Sequence, residues 1–592
     1  MSSETVPVLA PTARGEAFGA ALLVVLGIGL RLAFLRIFPT IPVSDFRALI
    51  EFGIRLRDGG PAAPGFGWVQ FSPGLPLALS VLFRVARSDP VAAARTATAV
   101  ATGLTGLLPF VLWRPILARR WRLAAGLALA VWPGQVFFSG VVAQENWALL
   151  PTVALACLGV RGARDPRLRS RAAAAGLLYA VAGAFRQEML VVLLPLVLPA
   201  AGVWPGWAGA RRALGVLAVS AGVPLLLLAA ERRAASGRFA LTTEHGGLGL
   251  LGSVVPGAAA DGWIDPKPYV AARQPELLRD RRALRESAAG LALEEWRRRW
   301  RYDAFRAGVS SMRLLGDSDA ENLFWSVGAA ETLPPERRAS GNDFVSTWGS
   351  LLRLELAVIT GLFAAAVLWG ARRRDPAVLL LAAAVLLKTA VQAVVSPMGR
   401  LMVPAIALEM LAVVLAASSL EASPRRERAG LLGVAAAAAA LLLLATPPLR
   451  ALARQKDESP LPVRRFPLEM AGGGFAECRL ESGRLFALEW RRAHLALSPS
   501  SPGSGAAARA TCELPAGHGP LRLRLEGAPS GLAGTGFERV EADGRELFSR
   551  ALTGTEGATE LEVPLGDARS VTVEVLAARP DPGSIGFEIG AP

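Results

Sequence analysis

Apolar runs of about 15–23 residues recur along this chain with clusters of arginine between them, the pattern of helices that cross a hydrocarbon layer of roughly 30 Å. The pattern predicts about eleven spans. Seven fall in the first half, at Phe18–Phe38, Val91–Trp113, Leu123–Val142, Asn146–Val160, Ala172–Phe185, Met189–Val203 and Ala213–Ala230. Four follow later, at Leu351–Gly370, Ala377–Val395, Leu401–Leu420 and Leu431–Ala445. The first is too long for the apolar core of a cleaved signal and no cleavage site follows it, so it reads as an uncleaved signal anchor.

The arginines set an expected orientation. Alternate short loops carry Arg114, Arg119, Arg120 and Arg122, then Arg161 to Arg171, Arg211 and Arg212, Arg372 to Arg374, and Arg425 to Arg428. By the positive-inside rule these loops and the N-terminus (residues 1–17) face the cytoplasm. Three larger segments, Pro39–Pro90, Glu231–Thr347 and Thr446–Pro592, then lie outside.

After Ala445 the period changes. Leu521-Arg522-Leu523-Arg524-Leu525 and Val571-Thr572-Val573-Glu574-Val575 alternate apolar and polar positions, and Gly/Pro/Ser clusters separate such stretches. Period-two alternation with frequent turns predicts a β-sandwich-like domain over 446–592, following a transmembrane domain over 18–445. Cys478 and Cys512 lie in this exported part, either bridged or as two buried thiols.

Composition narrows the class. Only 19% of the 592 residues are charged and 52% are hydrophobic. A soluble chain averages about 25% charged, which speaks against an ordinary cytosolic enzyme of three or four domains. The net charge of +15 comes almost wholly from arginine, since Lys267, Lys388 and Lys456 are the only lysines. Because that charge punctuates apolar runs and forms no soluble basic face, nucleic acid is not the expected partner; a lipid bilayer is. Three cysteines are too few for a disulfide scaffold or a zinc cluster.

Candidate chemistry concentrates at the expected outer ends of the spans. Phe46, Leu49, Ile50, Gly53 and Ile54 make one apolar face of an interfacial helix, with Asp45 at its N-terminal end. Asp45 is there either as a helix cap or as a carboxylate that could deprotonate an acceptor hydroxyl or bind a divalent cation. Spans as short as Asn146–Val160 and Ala172–Phe185 reach only about 22 Å, which sinks their outer tips below the membrane surface. Those tips carry Gln144-Glu145-Asn146 and Arg186-Gln187-Glu188, and ionisable residues at that depth are either functional or a structural ion pair, Arg186–Glu188 or Arg186–Glu145. Lys388, alone among lysines, lies inside a span, where it snorkels, pairs with Glu409 or faces a lipid phosphate; Arg400, beyond the end of that span, is a phosphate ligand or a headgroup anchor. His245 stands in the glycine-rich stretch Thr242–Gly257, as a ligand contact or a plain loop residue. Glu294–Tyr302 mixes Trp with Arg and predicts an interfacial helix on anionic headgroups.

In order and topology these segments resemble GT-C glycosyltransferases of the dolichyl-phosphate-mannose protein mannosyltransferase and aminoarabinose transferase type. Those that carry the resemblance are Val43-Ser44-Asp45, Phe71–Leu79, Asp89–Arg95, Ser139–Glu145, Ala184–Glu188, Thr242–Gly257 and Met398–Pro404. The resemblance implies an inverting transferase that moves a sugar from a polyprenyl-phosphate donor to a glycan, lipid or protein acceptor on the outer face of the plasma membrane. It implies Asp45 as general base and Glu145 as the second carboxylate, positioning acceptor or a divalent metal such as Mg or Mn. Arg186, Lys388 and Arg400, with Glu188 and His245 nearby, would serve the donor phosphate. The chain departs from the pattern at Phe46, where many members carry Glu, and that puts the metal in question. The tail, through Val540–Leu547 and Leu561–Leu565, resembles carbohydrate-binding β-sandwich modules and could equally be a structural cap. The rivals are an O-antigen-type polymerase or ligase, and a lipid or glycan transporter; a transporter would show paired halves with broken helices, and no repeat is visible.

Overall fold

The computed structural model describes residues 13–59, 68, 71–86, 89–164, 171–203, 210–237, 239–241, 243, 245–258, 262–328, 332–421, 423–458, 461–470, 474–488, 492–496, 498–499, 506–515, 521–526, 536–552, 560–577 and 584–590. The chain divides into two compact units: residues 1–245 with 305–452, and residues 246–304 with 453–592.

The first unit is helical. Among the described residues, seven helices are long and apolar enough to cross a membrane: Ala13–Ile37, Pro90–Leu112, Ala210–Ala235, Glu336–Arg373, Pro376–Val395, Gly399–Leu420 and Arg425–Lys456. Proline accounts for much of the difference from eleven. The expected span Leu123–Val142 is broken into helices Arg119–Val131 and Pro133–Phe138, and Met189–Val203 into Met189–Val192 and Leu194–Ala200. Pro133 and Pro195 have no N–H to continue the ladder and clash with the preceding turn.

The break at Trp132-Pro133 exposes carbonyls that need partners in an apolar setting. A buried arginine supplies them. Arg31, fully buried, donates from Nη1 to Ala130 O at 2.7 Å and Gly27 O at 2.8 Å, from Nη2 to Leu129 O at 3.3 Å, and from Nε to Gln135 Oε1 at 3.1 Å. Gln135 donates onward to Asn146 Oδ1 at 2.7 Å, and Asn146 Nδ2 donates to Phe138 O and Val141 O at 3.0 and 2.8 Å. This chain of donors fixes the start of helix Gln144–Arg164, and with it Glu145.

The second unit combines helices from Gly246–Ala304 with two antiparallel sheets. One sheet runs in the order Arg465–Glu469, Phe475–Ser482, Ala506–Glu513, Ser570–Ala577, Gly536–Ala542, Arg545–Leu552, with Ser498–Pro499 against Ala506–Glu513. The other runs Glu560–Gly566, Leu521–Glu526, Ser584–Gly590, Arg492–Ala496, Arg484–Leu488. Leu523, Leu525 and Phe587 of one sheet share a core with Ala510, Val571 and Val573 of the other and with Leu251, Leu284 and Ala288 of the helices. The alternation read in the sequence is the inward face of each sheet. Cys478 lies directly opposite Cys512 on paired strands, and the two form a disulfide.

The stretch Glu294–Tyr302 spends much of its charge inside this unit. Arg299 is bonded to Asp457 at 2.6 Å, with both side chains about 95% buried, and Arg298 to Glu458 at 2.6 Å. Tyr302 Oη donates to Ala453 O at 3.1 Å. Of the Trp/Arg surface expected to meet headgroups, Trp300 is exposed and stacks with Arg301.

Candidate functional site

The first unit gathers residues that are far apart in sequence. Helix Ser44–Gly59 starts at Ser44, whose φ of 50° lies in the left-handed region, a conformation that costs a non-glycine residue about 1–3 kcal/mol. Asp45 follows it. Its Oδ2 accepts from Arg400 Nη2 at 3.2 Å. Arg400 belongs to the short turn Gly399–Met402, and its guanidinium is stacked over Phe46 at 4.9 Å and Trp325 at 5.8 Å. Phe46 is buried and meets Trp325 edge to face, so two rings hold one face of the cation while Nε has no hydrogen-bond partner. The second ring arrives on the π-helical turn Phe324–Gly328, a wide turn of the kind found at functional sites.

Beside this pair sits a denser network. Arg186, just after helix Ala172–Phe185, reaches Glu145 Oε1 and Gln144 Oε1, both at 3.4 Å, and donates from Nε to Glu188 Oε1 at 2.9 Å. Lys388 Nζ donates to the same Glu188 oxygen at 2.8 Å. With its amide turned to satisfy both atoms, Gln392 accepts from Lys388 Nζ and donates to Ser396 O, each at 3.0 Å. Gln144 Nε2 donates to Ser72 O at 2.8 Å, and Gln187 Oε1 accepts from Thr243 N. Asp45 is within electrostatic reach of Arg186, which joins the two clusters.

Six of the carboxylates and cations singled out in the sequence therefore lie in one neighbourhood: Asp45, Glu145, Arg186, Glu188, Lys388 and Arg400. They differ in access. Asp45 is 43% exposed and Arg186 21%, whereas Glu145 is 4% and Lys388 1% exposed. Lys388 pairs with Glu188, while Glu409 bonds Thr360. His245 opens helix His245–Val254, which replaces the expected glycine-rich loop; its side chain lies outside the described residues, as do Thr242 and Glu244. Trp325 carried no sequence signal, nor did Arg31, whose role is to cap a broken helix.

Three cations face three carboxylates, so the neighbourhood is close to neutral as a whole. Any anion that enters competes with a carboxylate for its cation. The most accessible such exchange is at Arg400, through the exposed Asp45. For a metal, the donor set is unsuited: Asp45 faces a guanidinium, Glu145 faces another, and no group of three His, Cys, Asp or Glu residues among the described ones could hold a metal ion.

No family model matches this chain, and no curated protein matches it.

Proposed function

We propose that the protein is a membrane glycosyltransferase that moves a sugar, with inversion, from a polyprenyl phosphate to a glycan, lipid or protein acceptor. The observation that carries this reading is the convergence of Asp45, Glu145, Arg186, Glu188, Lys388 and Arg400 in one unit of apolar helices. Arginine-rich short loops inside and the bulk of the polar mass outside put the reaction at the outer face of the plasma membrane, with the β-rich unit periplasmic or extracellular.

In this scheme the Asp45 carboxylate takes the proton of the acceptor hydroxyl. The hydroxyl oxygen attacks the anomeric carbon as the bond from that carbon to the phosphate oxygen breaks, and polyprenyl phosphate leaves with the bonding pair. Arg400 and Arg186 stabilise the charge that develops on the leaving group. Glu145 orients Arg186 and the acceptor. Lys388, bonded to Glu188, acts through that carboxylate and positions Arg186. Without donor, Arg400 holds Asp45; phosphate on Arg400 frees the base, so binding of the donor and release of the base are one event.

The test is transfer of labelled sugar from polyprenyl phosphate in reconstituted vesicles. Asp45→Asn should lower the rate by about 10²–10⁴-fold while the protein folds and inserts normally. A variant that transfers at the wild-type rate overturns the role of Asp45, and facilitated movement of the lipid without transfer would favour a transporter.

A further inference from the structure

Helix Arg281–Leu323, which is not among the seven membrane-length helices, places three buried polar residues in its last turns. Ser318 is 1% exposed, and Asp319 and Asn322 are fully buried. Asp319 Oδ2 accepts from Trp132 Nε1 at 2.7 Å, its Oδ1 has no hydrogen-bond partner, and Asn322 lies against it with neither amide atom bonded. The fit is close: a Cβ on Gly134 would stand 2.1 Å from Asp319 Cγ.

Glu409 and the partly buried Glu355 are both within electrostatic reach of Asp319. Glu409 is fully buried, and its Oε1 has no partner. Its Oε2 lies 3.1 Å from Thr360 Oγ1, which in turn lies 2.8 Å from Leu315 O. A hydroxyl has one hydrogen, and the carbonyl can only accept it. Thr360 thus gives its one hydrogen to Glu409 Oε2 or shares it with Leu315 O, and Glu409 is left with at most this one donor.

The cations on neighbouring positions are bonded to other carboxylates: Arg313 to Glu321 at 2.5 Å, Arg353 to Asp317 at 2.5 Å and Arg450 to Asp317 at 3.4 Å. Facing Asp319 are Trp132, Gly134 and Asn322, with the carboxyls of Glu355 and Glu409, and none of these is a cation. Asp319 and Glu409 are both fully buried, no cation is bonded to either among the described residues, and ionising them is costly.

The same turn touches the candidate site. A Cβ on Gly399 would stand 2.8 Å from Ser318 Cα, so the backbone next to Arg400 rests directly on the segment that carries Asp319. We propose that Asp319, with Glu355 and Glu409 in its electrostatic reach, is a buried proton-binding site whose proton holds the Gly399–Met402 turn in place. Burial pushes the Asp319 carboxyl up to about 7, against the hydrogen bond from Trp132 that favours its ionised form. Emptying the site sets like charges against one another at low dielectric, and the close contact at Gly399 passes the strain to the turn. The proposal is independent of glycosyl transfer.

The full chain in lipid nanodiscs serves for the test. Infrared difference spectra across a pH titration should show protonated carboxyl groups at neutral pH, reduced in Asp319→Asn and in Glu409→Gln. Hydrogen-exchange protection over residues 399–402 should fall on alkalinisation by about 5- to 150-fold, the usual range for coupled sites, and this change should vanish in Asp319→Asn. Trp132→Phe leaves every carboxyl intact and removes a donor to the ionised form, so it should move the titration to higher pH. Carboxyl spectra unchanged in these variants, or protection of the turn indifferent to pH, overturn the proposal.

Discussion

Arg400 Nη2 lies 3.2 Å from Asp45 Oδ2, so the proposed base and the proposed phosphate ligand neutralise each other across 355 residues of sequence. In the proposed reaction, a polyprenyl phosphate competes with Asp45 for this guanidinium.

That competition fixes the sign of a binding experiment. Asp45→Asn should bind sugar-free polyprenyl phosphate more tightly than the wild type, because Arg400 is no longer neutralised. Arg400→Ala should bind it more weakly by about 10- to 100-fold, the loss of a charge-assisted hydrogen bond of roughly 1.5–3 kcal/mol. Titration with polyprenyl phosphate, using the neutral polyprenol as control, measures both. Equal affinity in Asp45→Asn and wild type would sink the competition.

Glu188 holds two cations, Arg186 at 2.9 Å and Lys388 at 2.8 Å. Removing one member of such a buried set leaves an uncompensated charge and costs about 3–5 kcal/mol. Lys388→Met alone should therefore lower thermal stability in detergent, and Glu188→Gln added to it should recover much of the loss. An additive double variant would contradict the coupling.

Glycine 399 meets backbone. Ala at this position sets its Cβ 2.8 Å from Ser318 Cα, and overpacking of this kind costs about 1–3 kcal/mol. Gly399→Ala should lower the melting temperature, which a thermal scan in detergent reads directly. Gly430, whose Cβ would meet nothing within 4 Å, should accept Ala with little change.

In the second unit, Glu295 is fully buried, bonded to Arg298 and accepting from Tyr269 Oη at 2.8 Å. Burial raises its carboxyl, but the hydrogen bonds from Arg298 and Tyr269 outweigh it and hold the group below its ordinary 4.5. A depressed folded-state value contributes stability that is present above the unfolded value and lost as pH falls through the folded one. Unfolding of the β-rich unit should thus become easier on acidification below about 4.5. Glu295→Gln should be less stable at neutral pH and lack this part of the acid response.

The disulfide Cys478–Cys512 spans a sequence separation of 34 residues. In the chain-entropy description a loop of that size contributes about 3–4 kcal/mol, so Cys512→Ser should shift unfolding of the β-rich unit accordingly. Equal stability of oxidised and reduced protein would argue against that contribution.

Much of this architecture is written in local pattern. Alternation at Leu521, Leu523 and Leu525 and at Val571, Val573 and Val575 marks the inner faces of the two sheets, because a strand exposes every second residue to one side. Long apolar runs mark Ala13–Ile37 and Pro376–Val395, because hydropathy is summed over a helix. The breaks at Pro133 and Pro195 were open to the same reading, yet the apolar run hides them, since hydropathy is blind to a missing N–H. The candidate residues could be named from their cost at membrane depth, and so could the pairing of Arg186 with Glu145 and Glu188, whose span tips lie side by side; the partner of Lys388 could not. Whether Lys388 meets Glu188 or Glu409 depends on which helices become neighbours, and no periodicity encodes that. Trp325 is of the same kind: an aromatic residue on a polar helix says nothing of the guanidinium it will meet.

The Lys388–Glu188 bond also constrains how the protein is made. Glu188 emerges from the ribosome 200 residues before Lys388. Helix Pro376–Val395, with a mean hydropathy of 2.3 over its most apolar stretch, can enter the bilayer despite a lysine that costs about 2.5–3.5 kcal/mol at the centre of a span. Until it docks, that lysine is a charge in lipid without a counter-ion, and the earlier hairpin is an acid waiting for it. Docking of the late helix is thus tied to one ion pair: a chain in which that helix fails to reach Glu188 keeps a lysine without its carboxylate.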